Sequence, residues 1–159
     1  MKEMIGYCGY SCHFCAARSE DPLVRQKLVD GWRHIFGHQR YTAENVRCDG
    51  CRSDGRIADT TCRARPCAKE RKIDTCAICE EFPCSKMRHL MGSRDGLLIF
   101  CRPSDAHVSE EEYNLCMRQF NSMPNLVRLL VAAGKLDSWV VDAASGDCYD
   151  RSTGEQGTS

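Results

Sequence analysis

The stretch CRARPCAKERKIDTCAICEEFPC, residues 62–84, holds five cysteines within 23 residues. Thiols at this density form disulfides, bind a metal or carry out sulfur chemistry. A segment so short buries little apolar surface, and such segments rely on a disulfide or a metal staple. The chemistry of these cysteines therefore decides how this part of the chain folds.

The N-terminus indicates a reducing compartment. The opening MKEMIGYCGYSC has no apolar run as long as that of a signal peptide, and no run in the chain approaches the roughly 18 apolar residues of a membrane helix. We therefore predict a cytoplasmic protein that has no membrane partner. Structural disulfides are disfavoured there, so metal ligation or catalysis explains the cysteines better.

Ten of the 13 cysteines fall in four tight groups. A Cys-x2-Cys spacing lets the chain turn back so that both sulfurs reach one tetrahedral ion, at about 2.3 Å for zinc. The spacing occurs three times, and Gly50 in CDGC suits the turn because glycine accepts a positive φ. The pattern predicts zinc knuckles with the ligands Cys8, Cys12, Cys15, Cys48, Cys51, Cys62, Cys67, Cys76, Cys79 and Cys84.

Ten thiolates are two more than a pair of four-cysteine sites requires. Cys8 and Cys84 are the natural candidates for the spare pair, but Cys62 and Cys67 have the loosest spacing. The spacing alone does not say which knuckles share an ion.

Zinc is the default metal for four-thiolate sites built from separated knuckles. A [4Fe–4S] cluster uses the same ligands and is the alternative cofactor. Cys8-x3-Cys12-x2-Cys15, with Phe14 before the last cysteine, has the spacing that radical S-adenosylmethionine enzymes use. Those enzymes resemble a partial βα barrel, and this chain does not alternate strand and helix for long enough. An iron–sulfur protein of electron transfer, redox sensing or related catalysis is the alternative function.

Two further enzymatic interpretations are weaker. A thioredoxin-type dithiol needs a βαβ context with its first cysteine at a helix N-terminus, and no such pattern surrounds these motifs. A catalytic zinc would leave one coordination position open beside an acid or base such as Glu80, Glu81 or His13, which are more simply solvated surface residues. We therefore name no catalytic residue and favour a binding module over an enzyme.

The charge of the chain is uneven. Residues 1–91 carry 16 Lys/Arg and 12 Asp/Glu, whereas residues 92–159 carry 6 and 10. The basic excess is densest at 47–72 and suits nucleic acid, but no aromatic residue lies between positions 42 and 81 to stack on bases. The excess also suits local charge balance, because zinc with four thiolates carries a net charge of about −2. We favour charge balance and predict an unknown partner protein rather than nucleic acid.

One long helix is predicted in the cysteine-rich half. Ser19 can cap it, and Pro22 suits its first turn. Leu28 and Trp32 lie on its apolar stripe, and Gly37 can end it.

The pattern changes near residue 92. GLLIFC (96–101) predicts a buried strand, and residues 138–150 predict a hairpin. The intervening segment predicts two helices: one opens with a capping box of Ser109 and Glu112, and the other begins at Pro124. Cys101 and Cys116 lie on apolar faces and are interpreted as core residues, while Cys148 is isolated.

These elements predict an α+β fold in two parts. Residues 1–91 form a small metal-stapled module with zinc-knuckle-like turns and one long helix. Residues 92–150 form a small α+β C-terminal part, and the polar segment 151–159 is a disordered tail.

The blocks YCGYSCHFC, CDGCRSDG and CRARPCAKERKIDTCAICEEFPCSKM resemble domain-of-unknown-function family 3795, a group of small cysteine-rich bacterial and archaeal proteins. The resemblance covers about residues 5–90. It implies no activity, but it implies that the ten grouped cysteines are metal ligands, with zinc the usual presumption, and that Gly9, Gly50 and Pro83 are structural. Ala64 stands where the family usually has isoleucine, and 92–150 matches nothing in the family.

Overall fold

The structure is a computed structural model that describes residues 4–82, 84–87 and 108–135, and the backbone of 93–94, 97–98, 139–141 and 148–150. Its α-helices are α1 (Pro22–Phe36), α2 (Ala64–Glu70), α3 (Glu110–Glu112) and α4 (Met123–Ala132). Short 3₁₀ turns form at Cys12–Phe14, Ala16–Arg18 and Cys76–Ile78. The paired strands are β1 (Ser93–Arg94) with β2 (Leu97–Leu98), and β3 (Trp139–Val141) with β4 (Cys148–Asp150).

Helix α1 confirms the predicted long helix, with one change at its start. Asp21 caps it, because its carboxylate accepts a hydrogen bond from the Leu23 amide at 2.8 Å. The predicted cap, Ser19, instead accepts the amide of Asp21. Gly37 ends the helix with a φ of 68°, in the left-handed region that glycine tolerates.

The segment 109–120 begins with the predicted capping box. The Ser109 side chain accepts the Glu112 amide, and the Glu112 carboxylate accepts the Ser109 amide. Helix α3 then widens into a π-helical segment, Tyr113–Met117, and tightens into a 3₁₀ turn, Arg118–Phe120. Cys116 within it is fully buried, which confirms its assignment to the core.

Helix α4 joins the C-terminal half to the first cysteine loop. Pro124 lies in its first turn, as predicted. The buried Asn125 amide donates hydrogen bonds to the carbonyl of Gly9 at 2.8 Å and to the hydroxyl of Ser11 at 2.9 Å. The helix therefore holds the backbone of the loop that carries the first cysteines.

Two apolar cores include cysteines of the loops, and each mixes residues from both halves of the chain. The first core combines Cys8 and Cys76 with Leu126 of α4. The second packs Trp32 of α1 against Cys116, whose carbonyl accepts the indole N–H at 2.8 Å. Because the C-terminal helices contribute to both cores, they contact the loops whose cysteines belong to those cores.

The predicted α+β class is wrong. The regular structure of the described ranges is mainly helical. The strands described there form two antiparallel pairs, one with strands of two residues and the other with strands of three. Pairs this short do not make the sheet that an α+β fold requires. Only Leu97–Leu98 of the predicted strand 96–101 is described as strand, and the segment 139–141 pairs with 148–150 as the hairpin prediction requires.

The division at residue 91 stays a prediction. Most of 92–107, including Cys101, and the whole 151–159 tail lie outside the described residues. Within the described ranges, no helix is both long enough and apolar enough to span a membrane.

Candidate metal centre

The ten predicted ligands line two separate cavities. We call the larger one the six-thiol cavity; its volume is about 110 Å³, and its cysteines are Cys8, Cys12, Cys15, Cys48, Cys51 and Cys62. The smaller, the four-thiol cavity, has a volume of about 20 Å³ and is lined by Cys67, Cys76, Cys79 and Cys84. The fold thus divides the ten thiols into six and four, a division that spacing alone left open.

The division separates Cys62 from Cys67, which the sequence presents as neighbours. Cys62 lies before α2, whereas Cys67 lies within it. The first turn of this helix carries the chain from one cavity to the other. In the six-thiol cavity, Cys8 and Cys62 therefore supplement two complete Cys-x2-Cys knuckles. In the four-thiol cavity, Cys67 and Cys84 supplement the third knuckle.

The loop of the first three cysteines is set by a reversal at Gly9. Gly9 has a φ of 91°, and the chain bridges from Ile5 to Ser11 across it. The 3₁₀ turn Cys12–Phe14 follows, and the Cys15 amide donates to the carbonyl of Cys12 at 3.2 Å. This turn brings Cys12 and Cys15 to the same cavity.

The CDGC loop forms the second knuckle. The Cys48 amide donates to the carbonyl of Ala17 at 2.9 Å, which attaches this loop to the first one. Gly50 has a φ of 97°, and its amide donates to the Cys48 sulfur at 3.4 Å. An amide directed at a sulfur in this way stabilises a thiolate ligand.

The two knuckles face each other across the six-thiol cavity. The pKa of Cys12 falls to about 6, chiefly because Cys51 hydrogen-bonds to its sulfur. The same hydrogen bond, with burial, raises the pKa of Cys51. Burial raises the pKa of Cys15 to about 12, and the neighbouring Cys48 raises it as well. Cys12 therefore lies beside Cys51, and Cys15 is close enough to Cys48 for their charges to interact.

Cys8 completes the six-thiol cavity from its buried side. Burial raises its pKa to about 12, and among the sulfurs around it Cys62 has the largest electrostatic effect. Both residues also belong to the core that packs against α4.

The third knuckle is a 3₁₀ turn, Cys76–Ile78. The Thr75 hydroxyl caps it by accepting the Ala77 amide at 3.3 Å. The Cys79 amide donates to the carbonyl of Cys76 at 3.1 Å. The Cys76 amide donates to the carbonyl of Tyr7 at 2.8 Å, and this hydrogen bond connects the third knuckle to the residue before Cys8.

Two cations approach the sulfurs of the four-thiol cavity. The Lys86 ammonium lies 3.0 Å from the Cys67 sulfur, and this contact raises the pKa of Lys86. The Arg71 guanidinium lies 3.6 Å from the Cys79 sulfur and also pairs with Glu81 at 2.6 Å. Sequence reasoning missed both residues, because nothing in their spacing relates them to particular cysteines.

The basic residues at 47–72 are largely engaged in the fold. Arg47, Arg56, Lys69 and Arg71 pair with carboxylates. Arg65 donates to the carbonyls of Cys51 and Ser53, and Arg52 donates to those of Ile5 and Asp74. These contacts connect the cysteine loops to one another and to neighbouring carboxylates, while the reason for the basic excess stays a prediction.

The sulfurs line the two cavities but do not converge on one position that a metal ion could occupy. In the part of the chain that the structure describes, no three Cys, His, Asp or Glu side chains form a group that could hold a metal ion. All eleven cysteines described there are free thiols. The residue types and their placement suit a thiophilic metal, whereas ligation requires the sulfurs to move closer together.

Comparison with known proteins places the chain in a family. No curated protein and no solved structure matches the chain. A family model described as "Protein of unknown function (DUF3795)" matches residues 4–89, more than half of the sequence and the whole span of the grouped cysteines. The chain therefore belongs to the DUF3795 family of proteins of unknown function.

Proposed function

We propose that the protein is a zinc-binding module in which cysteine thiolates hold the metal and the metal stabilises the fold. One observation carries the proposal: the fold gathers ten cysteines from four groups distant in sequence around only two cavities. Cysteines that served only as small core residues would have no reason to collect in this way.

The four-thiol cavity is the simpler of the two sites. Cys67, Cys76, Cys79 and Cys84 supply the four thiolates that structural zinc takes. Lys86 and Arg71 point at two of these sulfurs and offset part of their negative charge. The side chains must close on the ion, so that binding and the final ordering of these loops are one event.

The proposed role of the metal is structural. Four thiolates fill the coordination shell of zinc and leave no position for a substrate. Of the acid and base candidates for a catalytic zinc, Glu81 is held in an exposed ion pair with Arg71, and His13 contacts the carbonyl of Met4 at 3.2 Å. Both contacts fit ordinary surface residues.

We extend the proposal to action through a partner protein in a reducing compartment such as the cytoplasm. The free thiols support the compartment, because metal-binding cysteines must stay reduced. The turns of the first and third knuckles expose Phe14 and Ile78, at 42% and 43% of their surface. Apolar side chains presented on turns that metal would stiffen suit recognition of another protein.

The proposal is tested by counting metal and by removing one ligand. Protein purified without oxygen should be colourless and contain zinc but no iron or acid-labile sulfide. Cys79→Ser should lose the zinc of the four-thiol cavity, whereas Cys116→Ala, which alters a buried cysteine outside both cavities, should lose none. A brown protein with iron and sulfide, or a Cys79→Ser variant with its full complement of zinc, would overturn the proposal.

A further inference from the structure

The two cavities differ in volume as well as in thiol number. A cavity needs roughly 10–15 Å³ to hold one water-sized atom. The four-thiol cavity, at about 20 Å³, has room for about one. The six-thiol cavity, at about 110 Å³, has room for several. A single zinc ion would fill the first and leave most of the second empty.

The number of sulfurs points in the same direction. One tetrahedral zinc in the six-thiol cavity would take four thiolates and leave two thiols of the same cavity without a role. Two tetrahedral ions require eight metal–sulfur bonds, and six thiolates supply eight when two of them bridge both ions. This is the ligand count of the known Zn₂Cys₆ modules.

The sulfurs are also distributed around the cavity rather than collected at one end. Cys12 and Cys51 lie together beside Gly6, where a Cβ would stand 3.6 Å and 3.5 Å from their sulfurs. Cys15 and Cys48 both pack against the second core, and the Cys48 amide donates to the carbonyl of Ala17 at 2.9 Å.

The fifth and sixth cysteines belong with the other core. Cys8 and Cys62 pack with the residues of the first core, against α4, and still line the same cavity as both knuckles. Three pairs of sulfurs placed around one cavity suit two ions side by side.

We propose that the six-thiol cavity holds a binuclear zinc–thiolate centre, with all six cysteines as ligands and two of them bridging. The inference rests on the proposed function, since it assumes that these thiolates bind zinc. With the mononuclear site in the four-thiol cavity, one chain then binds three zinc ions. Cys8 and Cys62 are ligands of this centre rather than spare thiols.

The test is the zinc content of the full-length protein, measured together with X-ray absorption at the zinc edge. Wild type should hold about three zinc per chain and show a zinc–zinc scattering path, because bridging sulfurs hold two ions close. Cys62→Ser should hold about two zinc and lose the path, since five thiolates no longer serve two ions. Cys79→Ser should also hold about two zinc but keep the path, and Cys116→Ala should match wild type.

The outcomes separate this inference from the proposed function. Two zinc per chain with no zinc–zinc path in wild type would overturn the binuclear centre and leave zinc binding intact. Wild type without zinc, or with iron and sulfide in its place, would overturn both. The wild-type measurements decide the matter even if Cys62→Ser fails to fold.

Discussion

Gly9 shows how a single residue can hold a cysteine loop in place. Its φ of 91° is a conformation that side chains rarely adopt, and the α4 helix packs directly against it. A Cβ at this position would lie 2.7 Å from Cγ of Leu126 and 3.0 Å from the carbonyl oxygen of Ser122. The first cysteines therefore depend on a residue that is not a ligand.

We expect Gly9→Ala to destabilise the zinc-loaded protein more than Gly37→Ala. Both glycines have a positive φ, which costs another residue about 1–2 kcal/mol. Only Gly9 meets neighbouring atoms, because a Cβ at Gly37 finds nothing within 4 Å. The collision should add roughly 1–3 kcal/mol to the loss of unfolding free energy, measured by urea titration. Equal losses for the two variants would mean that α4 does not press on the loop.

At the scale of elements, α4 holds the first cysteine loop through hydrogen bonds donated by Asn125. Its amide satisfies the Gly9 carbonyl and the Ser11 hydroxyl, in a region where water has little access. Buried acceptors that lose their donor cost roughly 1–3 kcal/mol. The interaction links a helix outside the family match to the start of the cysteine motif.

Asn125→Ala should therefore lower the free energy of unfolding by roughly 1–3 kcal/mol. Asn114→Ala is the matched control, because this asparagine belongs to the same half of the chain but is exposed. Its replacement should change stability by less than about 0.5 kcal/mol. Thermal unfolding followed by circular dichroism compares the two variants, and a neutral Asn125→Ala would show that α4 is held by apolar packing alone.

Local elements were predictable from sequence because their signals are local. The observed cap of α1, Asp21, lies two positions from the predicted cap, Ser19, yet Pro22 and Gly37 mark the ends of the helix correctly. Ser109 and Glu112 form the predicted capping box. The distribution of cysteines was not predictable, because it depends on where α2 begins between Cys62 and Cys67. The α+β class failed for a related reason: an apolar run indicates a strand, but a sheet needs partner strands that a single segment does not reveal.

At the scale of the whole molecule, the two cores make the metal and the C-terminal helices depend on each other. One core joins Cys8 and Cys76 to α4, and the other joins the knuckles near Cys15 and Cys48 to α1 and Cys116. Both cores combine residues of 4–87 with residues of 108–135. Under the proposed function, loss of the metal should therefore destabilise both halves.

We expect removal of zinc by a chelator to unfold α1 and α4 together. Without metal, the buried thiols and their loops lose the bonds that hold them between the cores, and neither core is complete without those loops. Hydrogen exchange measured with and without chelator should show protection lost over residues 22–36 and 123–132 at the same chelator concentration. Protection that persists in α4 after α1 has opened would show that the C-terminal helix folds independently of the metal.

Acid should produce the same unfolding, and the direction follows from the thiolates. Zinc binds the deprotonated sulfur, so the pKa of a ligand cysteine in the loaded protein lies below its value of about 8.5 in the unfolded chain. Stability from such a group is present above the unfolded pKa and is lost as the pH falls through the folded one. Zinc release, followed with a colorimetric indicator during acid titration, should therefore coincide with loss of helical circular dichroism. Helix loss that precedes zinc release would mean that the metal does not hold the two cores together.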